Sequence, residues 1–308
     1  MGYRSEIGRA RERIARGSEL AATACGPIEY AALGEGPPVL LVHGAGGGFD
    51  QVLEFAQALA LRGFRSIAPS RFGYLRTPLP ADASAPAQAD AHAALLDALH
   101  VDRAAIVGVS AGAPSTIQFA LRHPERCSAM VLLVPAARLA DGEAEARTNV
   151  PAGTTRLALE MLLRSDFLLW AAMRLAPRLA IRSILATTPG TIERASAAER
   201  ARALGILWNV LPVSARRAGL SNDAAVVSAP QSCALERIAA PSLVISVADD
   251  LFGTYEVARR IASRLAQARF VGYPDGGHVW VGHHAEVLAE ITSFLEANRQ
   301  PVPAQASR

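Results

Sequence analysis

The segment Gly108-Val109-Ser110-Ala111-Gly112 is the strongest chemical signal in the sequence. It follows an apolar run, RAAIVGV (Arg103–Val109), and precedes a stretch with helical spacing, Ala113–His123. A strand running straight into a helix leaves the residue between them on a sharp turn, in a sparsely allowed backbone region. Glycines two places to either side let neighbouring backbone pass close by. The Ser110 hydroxyl is then thrust out above the carboxyl edge of a sheet. Serine is a weak nucleophile without a base. Among the seven histidines, only His278 stands in a loop directly after a late strand, in Pro274-Asp275-Gly276-Gly277-His278. His92, His100 and His123 fall on or at the ends of helices and read as surface or capping residues. His283 and His284 open the last helix and read as solvated.

The base needs a carboxylate to fix its tautomer and stabilise the imidazolium. Asp249 and Asp250 end the run SLVISV (Ser242–Val247), 29 and 28 residues before His278. One of the pair should face the imidazole. The other reads as a loop or capping residue near Thr254. The AMVLLV run ends in Pro135 and Ala136, so no rival acid stands there. His43-Gly44-Ala45-Gly46-Gly47-Gly48 follows another apolar run, and a glycine-rich turn there can aim backbone N–H groups into a cleft. The N–H groups of Ala45 and Ala111 are the expected oxyanion donors, each worth roughly 3–4 kcal/mol of barrier. A dinucleotide loop would need G-x-G-x-x-G and a following acid. Gly44-x-Gly46-x-Gly48 does not fit, and Pro69-Ser70 stand where the acid would be. His278, His283 and His284 match no known metal-ligand spacing. Neither a metal nor another cofactor is expected.

The elements that must position these groups alternate. Apolar runs at Pro38–Val42, Arg65–Ala68, Arg103–Val109, Ala129–Val134, Ser242–Val247 and Arg269–Tyr273 read as buried strands. Stretches with 3.6-residue spacing at Gln51–Leu61, Pro86–His100, Ala113–His123, Tyr255–Leu265 and Ala285–Ala297 read as helices. That order implies a mostly parallel sheet covered on both faces. Glu19–Leu33 reads as an N-terminal hairpin, and the first twenty residues as a short basic amphipathic helix with no assigned role. From Ala136 to Ala240 no convincing strand occurs. Helical blocks at Thr155–Leu163, Asp166–Leu175, Arg178–Leu185 and Thr191–Leu204 form an insertion between two core strands. The tail Gln300–Arg308 reads as frayed.

Composition narrows the classes. The chain has 308 residues, 51% hydrophobic and 19% charged, enough for a large buried core. All 31 basic residues are arginine. Without lysine there is no Schiff base, no pyridoxal-phosphate site and no Walker-A loop. The arginines are scattered and the net charge is only +3, so nucleic-acid binding is not favoured. Cys25, Cys127 and Cys233 are far apart and odd in number, which disfavours a disulfide scaffold. The uncharged window Ala104–Leu121 holds Gly, Ser, Pro, Thr and Gln and suits a strand, turn and helix better than a membrane span. The N-terminus lacks the apolar core of a secretory signal. A cytoplasmic protein with a small-molecule substrate is the expectation.

The ordered set HGAGGG, GVSAG, VADD and GGH, with Ser, Asp and His in that chain order, resembles the α/β-hydrolase fold superfamily. The likeness covers about residues 19–135 and 240–298. The insertion sits where that family carries its cap. The resemblance implies an α/β fold with an eight-stranded, mostly parallel sheet, a core of residues 1–135 and 241–308, and a helical cap of 136–240. It puts Asp250 of VADDLF at the acid position, with Asp249 as the fallback. SIAPSRFGYLRTP resembles the family's loop after the fourth strand, commonly D-x-x-G-x-G-x-S, with Ser70 and Thr77 replacing the aspartate and the serine. In style the chain is similar to capped carboxylesterases, ring-cleavage C–C hydrolases and cofactor-free haloperoxidases. A serine nucleophile disfavours the aspartate-nucleophile epoxide hydrolases and dehalogenases. The expected activity is hydrolysis of a small, largely apolar ester by Ser110, His278 and Asp250. C–C bond hydrolysis and haloperoxidase or oxygenase chemistry are the alternatives. A binding protein that has lost its chemistry is disfavoured because no member of the triad is missing. The cap should cover Ser110, with Gly46, Phe167, Trp170 and Met173 as substrate contacts.

Overall fold

A computed structural model describes residues 2–140, 163–231 and 233–299. The helix expected over 155–163, all but its last residue, and the tail at 300–308 lie outside the described residues. Eight strands form one sheet: β1 (Glu19–Thr23), β2 (Gly26–Leu33), β3 (Pro38–Val42), β4 (Arg65–Pro69), β5 (Ala104–Val109), β6 (Cys127–Leu133), β9 (Ser242–Val247) and β10 (Ala268–Tyr273). Their order across the sheet is β1-β2-β4-β3-β5-β6-β9-β10. Only β2 runs against its neighbours, and every pairing from β4 to β10 is parallel. The expected hairpin is β1–β2.

Strict alternation along each strand sorts side chains to two faces. Leu40, Val42, Ile106, Met130, Leu132 and Val244 pack on one face. There they meet α3 (Ala85–Ala98), α4 (Ala113–Arg122) and α10 (Thr254–Arg264). Val39, Leu41, Val107, Val131, Leu243 and Ile245 pack on the other, beneath α2 (Leu53–Ala60) and α11 (His284–Ala297). Both faces of each central strand are therefore buried, which is why these strands read as continuous apolar runs. Ser84 caps α3 through the Ala87 N–H, with Pro86 in the first turn.

The sequence direction reverses at β3. From β3 the chain moves to β4 on one side, then returns to place β5 on the other. The carboxyl ends of β3 and β5 thus flank a crevice, the place where open α/β sheets bind ligands. The loop after β4 keeps its hydrogen bonds despite the Ser70 and Thr77 replacements. Ser70 donates to Glu29 (2.9 Å) and accepts from the Phe49 N–H (3.1 Å), while Thr77 accepts from the Glu29 N–H (2.9 Å).

The insertion contains α5 (Asp166–Leu175), α6 (Pro177–Ile184), α7 (Pro189–Arg194), α8 (Ala197–Trp208) and α9 (Arg217–Ser228). The helix expected at Thr191–Leu204 is two, because Ser196 ends one segment and caps the next through the Glu199 N–H. The expectation of no strand here needs correcting. Two-residue strands, β7 (Arg138–Leu139) and β8 (Pro230–Gln231), pair in parallel at the neck of the insertion. Strands that short carry no periodicity to read. The helix α1 (Tyr3–Ala15), assigned to the core from its chain position, packs Ile7 and Ala10 into the same cluster as Leu169 and Met173 of the cap. Among the described residues, no helix is long and apolar enough to cross a membrane.

Candidate active site

Ser110 sits directly after β5 with φ +50°, a left-handed conformation that few non-glycine residues adopt. Its neighbours explain the two glycines. A Cβ on Gly108 would stand 2.2 Å from Thr116 Oγ1, and one on Gly112 would stand 2.8 Å from the carbonyl oxygens of Val42 and His43. Any larger residue would push α4 or β3 away from the turn. Ser110 is 8% exposed, and its hydroxyl donates to Nε2 of His278 at 2.8 Å. His278 lies in a single 3₁₀ turn, Gly277–Val279, after β10. Its Nδ1–H donates to Asp250 Oδ2 at 2.8 Å. The Phe252 ring stands edge-on to the imidazole, centroids 4.9 Å apart.

Asp250 also accepts from the Phe252 N–H (2.9 Å) and from the Thr254 hydroxyl. Burial pushes its carboxyl up, but the imidazole, the hydroxyl and the N–H outweigh this and hold it below the usual carboxylate range. Asp249 points elsewhere and accepts from the Gly277 N–H at 2.7 Å. Contact with Thr254 therefore belongs to the aspartate that meets the imidazole, and the other aspartate ties down the histidine loop. His283 bridges Asp275 (3.0 Å) and Glu286 (2.8 Å), and His284 meets Glu54 (3.2 Å). Neither is simply solvated. His92, expected at the surface, is 1% exposed and faces Ser115 on α4.

The Gly44–Gly48 turn lies against the serine, for a Cβ on Gly44 would approach Ser110 Cβ to 3.1 Å. Ala45 and Gly46 border the same cavity as Ser110 and His278. Ala111 is the second residue of the turn that opens the helix, where N–H groups lack intrahelical partners. Behind the turn, His43 is fully buried, and burial with the neighbouring Arg71 charge pushes its imidazole well down. It is neutral, donating from Nδ1 to the Gly44 carbonyl (2.7 Å) and accepting at Nε2 from the Arg71 N–H (2.9 Å).

Two buried ion pairs join this region to the cap, and nothing in the sequence pattern signals them. Arg71 makes a bidentate pair with Asp223 of α9, at 2.6 and 2.7 Å. Tyr74 donates to the same carboxylate at 2.5 Å. Burial and that carboxylate push the Tyr74 phenol well up, so it stays protonated. Arg216 pairs with Asp50 at 3.0 and 2.7 Å and also donates to the Gly47 carbonyl. Arg13 of α1 completes the second pair at 3.1 Å.

The cavity above Ser110 has a volume of about 270 Å³. The core supplies Val52, Phe55 and Trp280, and the cap supplies Leu169, Ile184, Ile206 and Leu220. The three cap side chains expected here are elsewhere. Phe167 is half exposed and stacks on Trp170, with Tyr3 of α1 edge-on to both rings. Trp170 donates its indole N–H to Glu6 at 2.7 Å. Met173 is buried with Ile7 and Ala10. All three belong to the contact between α5 and α1. Sequence periodicity marks an apolar helix face but not which partner covers it. Leu169, one turn before Met173, is the residue of α5 that reaches the cavity. Arg202 also borders the cavity, held by Glu199 (3.1 and 2.9 Å) and the Val279 carbonyl (2.7 Å).

Comparison with known proteins agrees with this architecture. A solved alpha/beta hydrolase fold protein from Nakamurella multipartita superposes with a TM-score of 0.67 at 29% identity, covering 91% of this chain and 99% of that one. The uncharacterized hydrolase YcgS of Bacillus subtilis is 35% identical over 107 residues, 35% of this chain and 37% of that protein. The 2-hydroxymuconate semialdehyde hydrolase of a Pseudomonas species is 33% identical over 104 residues, 32% of this chain and 37% of that protein. The matched part is thus well under half the length of either curated relative. A family model of the alpha/beta hydrolase fold matches residues 37–282, a span that holds Ser110, Asp250, His278 and the insertion between β6 and β9. The chain belongs to the alpha/beta hydrolase fold family.

Proposed function

We propose that this protein is a serine hydrolase that cleaves a small, largely apolar ester through an acyl-enzyme. Ser110 Oγ attacks the ester carbonyl as its proton passes to His278 Nε2. Asp250 holds the imidazole in the productive tautomer and stabilises the imidazolium. The oxyanion is received by the N–H groups of Ala45 and Ala111. Collapse of the tetrahedral adduct breaks the C–O bond, and His278 returns its proton to the departing alkoxide. Water, deprotonated by His278, then releases the acyl group and regenerates the Ser110 hydroxyl.

The observation that carries this reading is the unbroken hydrogen-bond chain Ser110–His278–Asp250, with both links at 2.8 Å, opening on a mostly apolar cavity. The test is a panel of p-nitrophenyl esters of graded acyl length, with Ser110→Ala as control. Ser110-dependent turnover supports the reading, and turnover that survives Ser110→Ala removes it.

A second reading is hydrolysis of a C–C bond in an anionic dienoate. The names of relatives such as the semialdehyde hydrolase favour it. Among the described residues, Arg202 is the arginine that borders the cavity, and Glu199 already neutralises it. A substrate carboxylate would have to displace that partner, which weighs toward a neutral substrate. Loss of the dienoate chromophore on incubation with the enzyme, at a rate exceeding ester turnover, would reverse the preference.

A further inference from the structure

We propose that Asp223, on cap helix α9, is a positioning residue for the oxyanion turn and acts through Arg71 and Tyr74. The inference rests on the reading of Ala45 and Ala111 as oxyanion donors.

A trans peptide is planar, so its N–H and C=O point in opposite directions. Fixing a carbonyl therefore aims the N–H of the next residue. The Gly44 carbonyl shares its peptide plane with the Ala45 N–H. It accepts from Arg71 Nη2 at 3.1 Å and from His43 Nδ1 at 2.7 Å. The next peptide carries the Ala45 carbonyl and the Gly46 N–H. The first accepts from Gln51 Nε2 at 3.4 Å, and the second donates to the Tyr74 hydroxyl at 3.2 Å. Both peptides flanking Ala45 are thus held, the first from behind the cavity and the second by Tyr74 from behind and by Gln51 at the cavity edge. The second donor is treated alike, for the Ser110 carbonyl, in plane with the Ala111 N–H, accepts from the Ala136 N–H at 3.1 Å. Arg71 Nη1 also reaches the Ala111 carbonyl at 3.3 Å. A single guanidinium therefore touches backbone beside both donors.

Arg71 and Tyr74 converge on one carboxylate. Asp223 takes both terminal nitrogens of Arg71 and the Tyr74 hydroxyl, and all three side chains are at least nine-tenths buried. Charge-assisted bonds of this kind fix direction as well as distance, and burial strengthens them. The Arg216–Asp50 pair provides an internal comparison. It bridges the same two parts of the chain with equal burial, but its backbone contact is to the Gly47 carbonyl, beyond the peptides that adjoin Ala45. Fastening the cap would need only pairs of that second kind. The contacts of Arg71 and Tyr74 to Gly44, Gly46 and Ala111 go further, linking the docking of α9 to the geometry of the donors.

The experiment compares Asp223→Asn, Tyr74→Phe and Asp50→Asn with wild type. Three quantities are read: kcat and KM on the best p-nitrophenyl ester, affinity for a trifluoromethyl ketone of the same acyl chain, and amide hydrogen exchange across Gly44–Gly48. The ketone adduct on Ser110 carries an oxyanion, so its affinity reports the donors directly. In Asp223→Asn, kcat is expected to fall about 10- to 100-fold, part of the loss seen when a donor is removed outright. Ketone affinity should fall by a matching factor while KM stays within about threefold. Tyr74→Phe should lose about 3- to 10-fold in the same two quantities. It decides the matter alone if Asp223→Asn does not fold. Asp50→Asn should hold kcat within about threefold while lowering thermal stability. Unchanged kcat and ketone affinity in Asp223→Asn and Tyr74→Phe overturn the proposal, as does an effect confined to KM. An equal loss of kcat in Asp50→Asn also overturns it, because cap fastening of any kind would then suffice. If the wild type turns over no ester and a fluorophosphonate does not label Ser110, it is the proposed function that fails. Exchange then decides the positioning role: faster exchange of the turn in Asp223→Asn than in Asp50→Asn supports it, and equal exchange overturns it.

Discussion

Lowering the pH from 7 to 4.5 should cost this fold about 2 to 3 kcal/mol at His92 alone. The ring lies between α3 and α4, 1% exposed, with the Ser115 hydroxyl at 3.3 Å. Burial, then the charges of Arg71 and His123, push its pKa from 6.5 to about 3. In the unfolded chain it returns to roughly 6.5. The unfolded state therefore takes up the proton first. The stability that neutral His92 contributes is full above about pH 6.5 and drains away as the pH falls toward 3. At pH 4.5 the unfolded imidazole is almost wholly protonated and the folded one almost wholly neutral, which sets the magnitude. Raising the folded pKa by a full unit would change the result by less than about a tenth. His43, buried and held neutral, acts in the same direction. His283, whose pKa is raised by Asp275 and Glu286 against the pull of burial, acts in the opposite one. His92→Leu isolates the term. It removes the titration without orphaning Ser115, which still donates to the Gly112 carbonyl at 3.1 Å. Urea unfolding of both proteins at pH 7, 6, 5 and 4.5 gives the comparison. The stability advantage of wild type over variant should shrink by about 2 to 3 kcal/mol across that range. Parallel stability curves would refute the assignment of the acid limb to this residue.

Ser110→Ala should lower kcat on esters by about 10³- to 10⁶-fold with the fold intact, read by circular dichroism and by loss of fluorophosphonate labelling. Asp250→Asn should cost up to about 10⁴-fold in kcat, because asparagine stabilises the wrong imidazole tautomer. Asp249→Asn should cost far less, since its amide oxygen can still accept from Gly277, and a reversed order would reassign the acid. Trp170→Ala should lower stability by about 2 kcal/mol through the lost α1 contact and leave acyl-chain preference unchanged. Leu169→Ala should instead extend the preferred acyl chain, and matched chain-length profiles for the two variants would contradict the placement of α5.

Local signals carried most of what was legible. Ser110, Asp250 and His278 each follow a strand end, and an apolar run closed by Gly, Asp or Pro marks such an end without knowledge of its neighbours. The choice between Asp249 and Asp250 depended on aligning VADDLF with a family pattern, and the structure brings Asp250 to the imidazole. The cap was another matter. Which face of α5 meets the cavity depends on α1, which lies more than 150 positions earlier in the chain. His92 reads as a helix-surface residue until α4 is laid across it. The Arg71–Asp223 and Arg216–Asp50 pairs span 152 and 166 positions. Among 31 arginines spread along the chain, no composition rule selects the buried ones. Contacts of that kind follow from topology, and even the count of eight strands rests on the family resemblance rather than on periodicity.

The two-residue pairing of β7 with β8 also bears on how such a chain can change over evolutionary time. Arg138 and Leu139 lie beside Pro230 and Gln231, so the long excursion between them leaves and re-enters the core at neighbouring points. Closing a loop costs entropy that grows only slowly with its length. With the neck already closed, segments of very different size can be spliced there while the sheet stays as it is. Two couplings restrict that freedom. A transplanted insertion must bring a carboxylate for Arg71 or leave an uncompensated charge in the interior, and must bring a guanidinium for Asp50, which otherwise keeps only the partly exposed Arg13. The neck makes the module exchangeable, and the two buried charges act as the key that an incoming module has to match.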